Sequence, residues 1–169
     1  QAAINRAQYV LARAEKPVIA FIDGDCVGGG CGIALAADIR VATPRARLGI
    51  TPARLGLVYP LHDTRLLVDL VGPGQAKRML YTGALLDAAE ALRIGLVDEL
   101  ADSPGPLEEA IAANSLHSTM QMKRFVRRVL DGQGEDDAAT LATFADAFAG
   151  PDFAEGASAF IEKRRPQFQ

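Results

Sequence analysis

The sequence predicts an α/β fold, because short apolar runs typical of strands are followed by longer segments with helical periodicity. Residues 17–22 are apolar and rich in β-branched side chains, which is typical of a short buried strand. Residues 38–42 and 47–50 alternate polar and apolar side chains around a Thr-Pro pair, and this pattern predicts two more strands joined by a turn. From Leu61 onward the apolar residues recur mostly at helical spacing.

The composition of the chain is typical of a globular protein. The chain has 169 residues, 49% of them hydrophobic, and a net charge of −3, which indicates a globular protein that can bury a real core. No basic patch or tail suggests a nucleic-acid partner. No run approaches the roughly 20 apolar residues of a membrane span, and no secretory leader is recognisable. We therefore expect a cytoplasmic protein with neither a membrane nor a nucleic-acid partner.

The first helix is predicted at the start of the sequence. Ile4, Ala7, Leu11 and Ala14 would share one face of it and form its buried side. Because the sequence starts inside a helical pattern, we expect it to be a segment of something longer.

The glycine-rich stretch Gly24–Gly32 follows the first strand and precedes a predicted helix over residues 33–37. Such a strand-to-helix turn presents backbone N–H groups that a ligand can approach closely, because glycine has no Cβ. The stretch lacks the lysine and hydroxyl of a phosphate loop and the register of the dinucleotide fingerprint. An oxyanion formed during acyl chemistry remains the best ligand. The alternative is a tight turn with close packing.

The later segments are predicted to be structural. A helix with Leu66, Leu67, Leu70 and Val71 on one face is broken at Gly72-Pro-Gly74, and a capping box at Asp87–Glu90 starts a helix that Gly95 closes. Three more helices are predicted over residues 116–130, 138–149 and 153–164.

Two cysteines and one Asp/Arg pair could be read as functional residues, but structural roles explain them better. Cys26 and Cys31 lack metal-ligand spacing, so reduced, packed thiols are expected, and no metal site is predicted anywhere in the chain. Asp38 and Arg40 alternate with apolar residues on one strand, and a structural ion pair or a capping role is expected for them.

The order of several motifs resembles that of the crotonase superfamily, the enoyl-CoA hydratase/isomerase family. These are Lys16-Pro-Val-Ile-Ala, Asp23-Gly24, Gly28-Gly-Gly-Cys31, Ala36-Ala-Asp-Ile-Arg40 and Arg93-Ile-Gly-Leu-Val-Asp98. The resemblance implies a ββα spiral over residues 1–100 and a C-terminal helical trimerisation region over residues 101–169. It also implies that an N-terminal part of the spiral, with the second oxyanion donor, is missing from this sequence.

The resemblance also implies a ligand and its contacts. The substrate would be an acyl-CoA thioester of fatty acid metabolism, with coenzyme A as part of the substrate and no permanently bound cofactor. The N–H of Gly29 would hold the thioester oxyanion, with Gly28 and Gly30 beside it. Phe144 would contact the adenine and Lys163 a phosphate. A homotrimer or a dimer of trimers is expected, with Phe144, Phe148, Phe153 and Phe160 providing apolar surface for assembly.

The chain departs from the resembled hydratases at both catalytic glutamates. The first position is Gly32, and the second falls on Pro52 or, with a shift of one residue, on Ala53. A positioned general acid or base typically contributes 10²–10⁴-fold to a rate. Hydration by two glutamates should therefore be severely weakened.

The best local substitute for the missing carboxylates is the segment from Tyr59 to Thr64. His62 and Asp63 are the candidate bases, with a phenol nearby at Tyr59. The competing interpretation is that Asp63 caps a helix starting near Thr64. The sequence thus predicts an acyl-CoA enzyme that stabilises a thioester oxyanion or enolate in hydration, isomerisation or a related reaction. The alternative is a crotonase-fold protein that binds acyl-CoA without catalysis.

Overall fold

A computed structural model describes residues 2–168 of the chain, which divide into two compact units. The first unit comprises the chain up to Ala12 together with Val18–Pro104, and the second comprises Arg13–Pro17 together with the chain from Gly105 onward. The first unit holds the strands and the glycine turn, whereas the second is helical.

The strands of the first unit form two three-stranded sheets. They are β1 (Ile19–Ile22), β2 (Asp25–Val27), β3 (Ile39–Ala42), β4 (Arg47–Gly49), β5 (Leu85–Asp87) and β6 (Glu99–Leu100). In the order β1-β3-β6 all neighbours are parallel, with Ile19 opposite Ile39. In the order β2-β4-β5 the first pair is parallel and the second antiparallel. The predicted strands are confirmed, although β3 and β4 belong to different sheets.

The helices of the first unit break and start where the sequence predicts a helix break and a cap. They are α1 (Ala2–Ala12), α2 (Gly29–Leu35), α3 (Leu61–Thr82) and α4 (Ala88–Arg93), with a 3₁₀ turn at Pro52–Leu55. A left-handed residue at Gly72, with φ 71°, interrupts α3 where the Gly-Pro-Gly sequence predicts a break. Asp87 caps α4 by accepting a hydrogen bond from the Glu90 N–H at 2.8 Å.

The predicted buried face of α1 is wrong. Gln8 and Ala12 are its buried residues, while Ile4 is 43% exposed. Alanines occur all around this helix, so the apolar pattern defines its inward face poorly. The hydrophobic core is built from aliphatic side chains of both sheets and of α2 and α3, including Ile22, Leu35, Leu48, Leu67 and Met79.

The second unit contains α5 (Gly105–Ala112), α6 (Leu116–Leu130), α7 (Ala138–Ala149) and α8 (Pro151–Glu162). The bounds of α6 and α7 are those that the sequence predicts, and α8 begins two residues earlier than predicted because Pro151 occupies its first position. Asp137 and Thr140 form a reciprocal capping box at the start of α7. Within residues 2–168, no helix combines the length and apolarity that a membrane crossing requires.

Candidate active site

The glycine turn is tighter than the sequence predicts, because α2 begins at Gly29 rather than near Ile33. Gly28 precedes the helix with φ 58° and ψ −117°, a combination that residues other than glycine rarely adopt. Its N–H donates to the Gly49 carbonyl oxygen at 2.9 Å. This hydrogen bond ties the turn to the end of β4.

The backbone at Gly29 is open to a ligand. Gly29 is the first residue of α2, and the first N–H groups of a helix have no acceptor within it. A Cβ built on Gly29, or on its neighbours Gly28 and Gly30, would meet no atom within 4 Å. Because Gly29 is also an exposed residue, the turn offers a backbone donor of the kind that an oxyanion ligand requires.

Asp63 faces the position of the first missing glutamate. A Cβ built on Gly32 would lie 3.7 Å from the carboxyl carbon of Asp63, 3.2 Å from the Tyr59 hydroxyl oxygen and 2.8 Å from the Gln8 Nε2 atom. The three side chains come from α1, from the loop before α3 and from the first turn of α3. They fill the space into which a side chain at residue 32 would project.

The interpretation of Asp63 as a helix cap is wrong. The helix begins at Leu61, where the helical pattern of the sequence begins, and not near Thr64. The residue at its cap position is Pro60, whose φ of −60° suits the entry to a helix. The carbonyl oxygen of Pro60 accepts both the N–H and the hydroxyl of Thr64. Asp63 is only 4% exposed, and its Oδ1 atom has no hydrogen-bond partner within residues 2–168. A buried carboxyl oxygen without a partner calls for an explanation, and a catalytic role is one that fits its place beside Gly32.

His62 points elsewhere. Successive residues of an α-helix project about 100° apart, so the side chain of His62 diverges from that of Asp63. The three atoms closest to a residue-32 Cβ belong to other residues. The Nε2 atom of His62 is buried and unpartnered in the described part of the chain. Of the two candidate bases, Asp63 is the one beside Gly32.

Tyr59 and Gln8 complete the polar cluster around Gly32. Burial, together with the nearby ionisable groups of Cys31 and Asp63, raises the pKa of the Tyr59 phenol, so this group keeps its proton at neutral pH and can donate it in a hydrogen bond. Gln8 is 1% exposed, and neither of its side-chain polar atoms has a partner among the described residues. Sequence reasoning missed Gln8, since one polar residue in an alanine-rich helix gives no sign that it faces inward.

The two cysteines lie behind the glycine turn as reduced thiols. Cys31 is fully buried in α2 and Cys26 is half-buried in β2. A hydrogen bond between them lowers the pKa of Cys26 and, with burial, raises that of Cys31. No group of three or more His, Cys, Asp or Glu side chains in residues 2–168 is placed to hold a metal ion.

Asp38 and Arg40 have structural roles, as expected. The guanidinium of Arg40 binds Asp98, and burial lowers its pKa. Asp38 accepts a hydrogen bond from the Val18 N–H at 2.7 Å. Both interactions hold the ends of β1, β3 and β6 together.

Phe144 and Lys163 lie in the second unit. Phe144 is 63% exposed on α7 and packs edge to face with Phe148. It lines a cavity of about 620 Å³ that is built from second-unit residues. Lys163 is an exposed residue that ends α8 with a left-handed φ of 55°. Their contacts with coenzyme A stay predictions.

The model of the enoyl-CoA hydratase/isomerase family matches residues 1–169. A crotonyl-CoA hydratase of Syntrophomonas wolfei is 38% identical over 161 residues, which are 91% of this chain and 62% of that protein. A short-chain-enoyl-CoA hydratase of Clostridium acetobutylicum is 37% identical over 171 residues, which cover 95% of this chain and 64% of that protein. The chain thus spans less than two thirds of the length of these curated relatives.

Solved structures show the same similarity. A Hyphomonas neptunium protein assigned to the enoyl-CoA hydratase/isomerase family superposes with a TM-score of 0.88 at 44% identity, covering 97% of this chain and 65% of that one. An enoyl-CoA hydratase from Bacillus anthracis superposes with the same TM-score at 30% identity, covering 99% and 67%.

Proposed function

Because the chain belongs to the enoyl-CoA hydratase/isomerase family, we propose that it binds an acyl-CoA thioester at the glycine turn and uses Asp63 as the base that acts on the acyl chain. One observation carries the proposal: the carboxyl carbon of Asp63 lies 3.7 Å from the position of a Cβ on Gly32. The carboxylate that residue 32 lacks is thus supplied from α3.

The N–H of Gly29 is the proposed donor to the thioester oxygen. Negative charge accumulates on this oxygen when the α-carbon loses a proton or when a nucleophile adds to the conjugated double bond. Losing one donor of an oxyanion hole typically lowers kcat by about 10²–10³-fold. The open space beside Gly29 leaves room for the thioester to approach.

Asp63 is proposed to transfer a proton to and from the acyl chain close to the thioester oxygen that Gly29 binds. Gly29 and Gly32 are three residues apart in α2, and residues at this spacing share a helix face about 5–6 Å apart. The carboxylate beside Gly32 therefore lies about one helical turn from the oxyanion donor. It can take a proton from the acyl chain in isomerisation, or from a water that adds to the double bond in hydration, and then return it to carbon.

The remaining expectations are part of the same proposal. Phe144 and Lys163 are offered as contacts for the adenine and a phosphate of coenzyme A. The exposed phenylalanines of the helical unit, at positions 144, 148, 153 and 160, favour assembly into a homotrimer or a dimer of trimers. Light scattering at micromolar concentrations should find three or six subunits, and a monomer throughout would contradict the assembly.

A second candidate function is acyl-CoA binding without catalysis. The observation that favours it is the lack of a carboxylate at Gly32, Pro52 and Ala53, where the resembled hydratases hold their two glutamates. Under this alternative the thioester would still bind at Gly29. Turnover separates the two functions, whereas binding does not.

Replacing Gly29 by valine tests the proposed binding site. A Cβ at this position meets no protein atom within 4 Å, so the variant should fold while its side chain blocks the thioester. We expect the affinity for butyryl-CoA to fall by at least about tenfold in calorimetric titrations, equivalent to about 1.4 kcal/mol. Gly74→Val, at an α3 glycine that also faces open space, is the matched control. Equal binding by parent and Gly29→Val would refute the site.

A further inference from the structure

We propose that Gln8 determines acyl-chain specificity: its buried carboxamide, together with the Tyr59 hydroxyl, binds a neutral hydrogen-bonding group of the acyl chain. The inference rests on the proposed binding of a thioester at Gly29. It adds to that function a residue from α1 and a chemical class of acyl chain.

The first support is the unpaired state of Gln8. The residue is 1% exposed, and both its Oε1 and its Nε2 atoms lack hydrogen-bond partners within residues 2–168. Leaving a buried polar atom without a partner carries a free-energy cost. An apolar residue would avoid this cost at such a position, which indicates that the amide serves a partner other than the described residues.

The second support is the convergence of other unpaired atoms on the same place. The hydroxyl oxygen of Tyr59 and the Oδ1 atom of Asp63 are also buried without partners. The Gln8 Nε2 atom lies 2.8 Å, and the Tyr59 hydroxyl oxygen 3.2 Å, from the position of a Cβ on Gly32. The two atoms are therefore close enough to each other to share one ligand group.

The third support is the absence of a side chain at Gly32. The Nε2 atom of Gln8 approaches so closely that a Cβ would have to displace it. Gln8 thus occupies the space that the resembled hydratases give to their first glutamate.

The donors and acceptors define the chemistry of the ligand group. The amide of Gln8 both donates and accepts, and the Tyr59 phenol donates. A hydroxyl or carbonyl oxygen suits this set. A carboxylate does not, because it would lie beside the carboxyl group of Asp63. Since Gly32 lies one helical turn from Gly29, the group recognised belongs to the acyl chain a few bonds beyond the thioester carbonyl.

Two thioesters that differ only by a hydroxyl test the inference. Calorimetric titration should show the parent binding 3-hydroxybutyryl-CoA about 10-fold to 100-fold more tightly than butyryl-CoA, since the latter leaves the buried polar atoms unpaired. In Gln8→Met, of similar length but apolar, this preference should shrink by about tenfold or more. The affinity for butyryl-CoA should stay equal or rise.

Two further measurements exclude a merely structural role. Removing an unpaired buried amide should leave the unfolding midpoint of Gln8→Met unchanged or raised, and Tyr59→Phe should also reduce the preference for the hydroxyl. A parent that binds both thioesters equally well, or a Gln8→Met variant that keeps the full preference, would overturn the inference alone. A parent that binds neither thioester would overturn the proposed function and this inference with it.

Discussion

The guanidinium of Arg40 is 3% exposed and binds the carboxylate of Asp98, with 2.5 Å between Nη2 and Oδ2. The same carboxylate oxygen accepts the Arg40 backbone N–H at 2.8 Å. The pair thereby joins β3 to Asp98, the residue that precedes β6 and ends the Arg93–Asp98 motif.

Asp98→Asn should therefore destabilise the fold. Removing one partner of a buried ion pair costs about 3–5 kcal/mol, and we expect the lower end because the side chain of Asp98 is 41% exposed. The free energy of unfolding in urea measures the loss. Asp25→Asn is the matched control, because it breaks the exposed pair with Arg47 and should cost no more than about 1 kcal/mol. Equal losses in both variants would contradict the role given to Arg40.

Gly28 and Gly30 should respond oppositely to alanine. A Cβ at either position meets no atom within 4 Å, but only Gly28 has a positive φ, 58°. Gly28→Ala should cost about 1–3 kcal/mol of backbone strain. Gly30→Ala, inside α2, should leave the stability unchanged or slightly higher because alanine favours the helix. Denaturant titrations of the two variants compare them directly, and a Gly28→Ala variant as stable as the parent would show that the turn tolerates side chains.

The two thiols should differ in reactivity. The hydrogen bond between Cys26 and Cys31 lowers the pKa of Cys26 below the usual 9.0, whereas the pKa of Cys31 is raised. Because the thiolate is the reactive form, iodoacetamide should modify Cys26 first, with a pH midpoint below that of an ordinary thiol. Cys31→Ala removes the hydrogen bond and should move the midpoint upward. Mass spectrometry that finds Cys31 labelled as fast as Cys26 would contradict this assignment.

Local sequence signals predicted most of the helices and three of the six strands, β1, β3 and β4. The Gly-Pro-Gly break in α3, the Asp87 cap and the bounds of α6 and α7 depend on neighbouring residues alone, and all are confirmed. The family model confirms the resemblance that the motif order suggested.

The site could be predicted only in part, because it depends on contacts between distant segments. The sequence drew attention to Asp63 but favoured a helix cap, because an aspartate near a helix start is more often a cap; only the structure shows that Pro60 holds the cap position. It gave no sign of Gln8, which reaches Gly32 from a separate helix. The sequence showed that both glutamates are absent, but it could not show which side chains fill the space beside Gly32.

The turnover of Asp63→Asn tests the central claim most directly. With crotonyl-CoA and a 3-enoyl-CoA as substrates, kcat should fall by about 10²-fold or more, while the dissociation constant of butyryl-CoA stays close to that of the parent because ground-state binding is retained. His62→Ala should lower kcat less. Unfolding midpoints must show that both variants remain folded. A parent that binds thioesters without turning them over, or an Asp63→Asn variant with the kcat of the parent, would contradict the account.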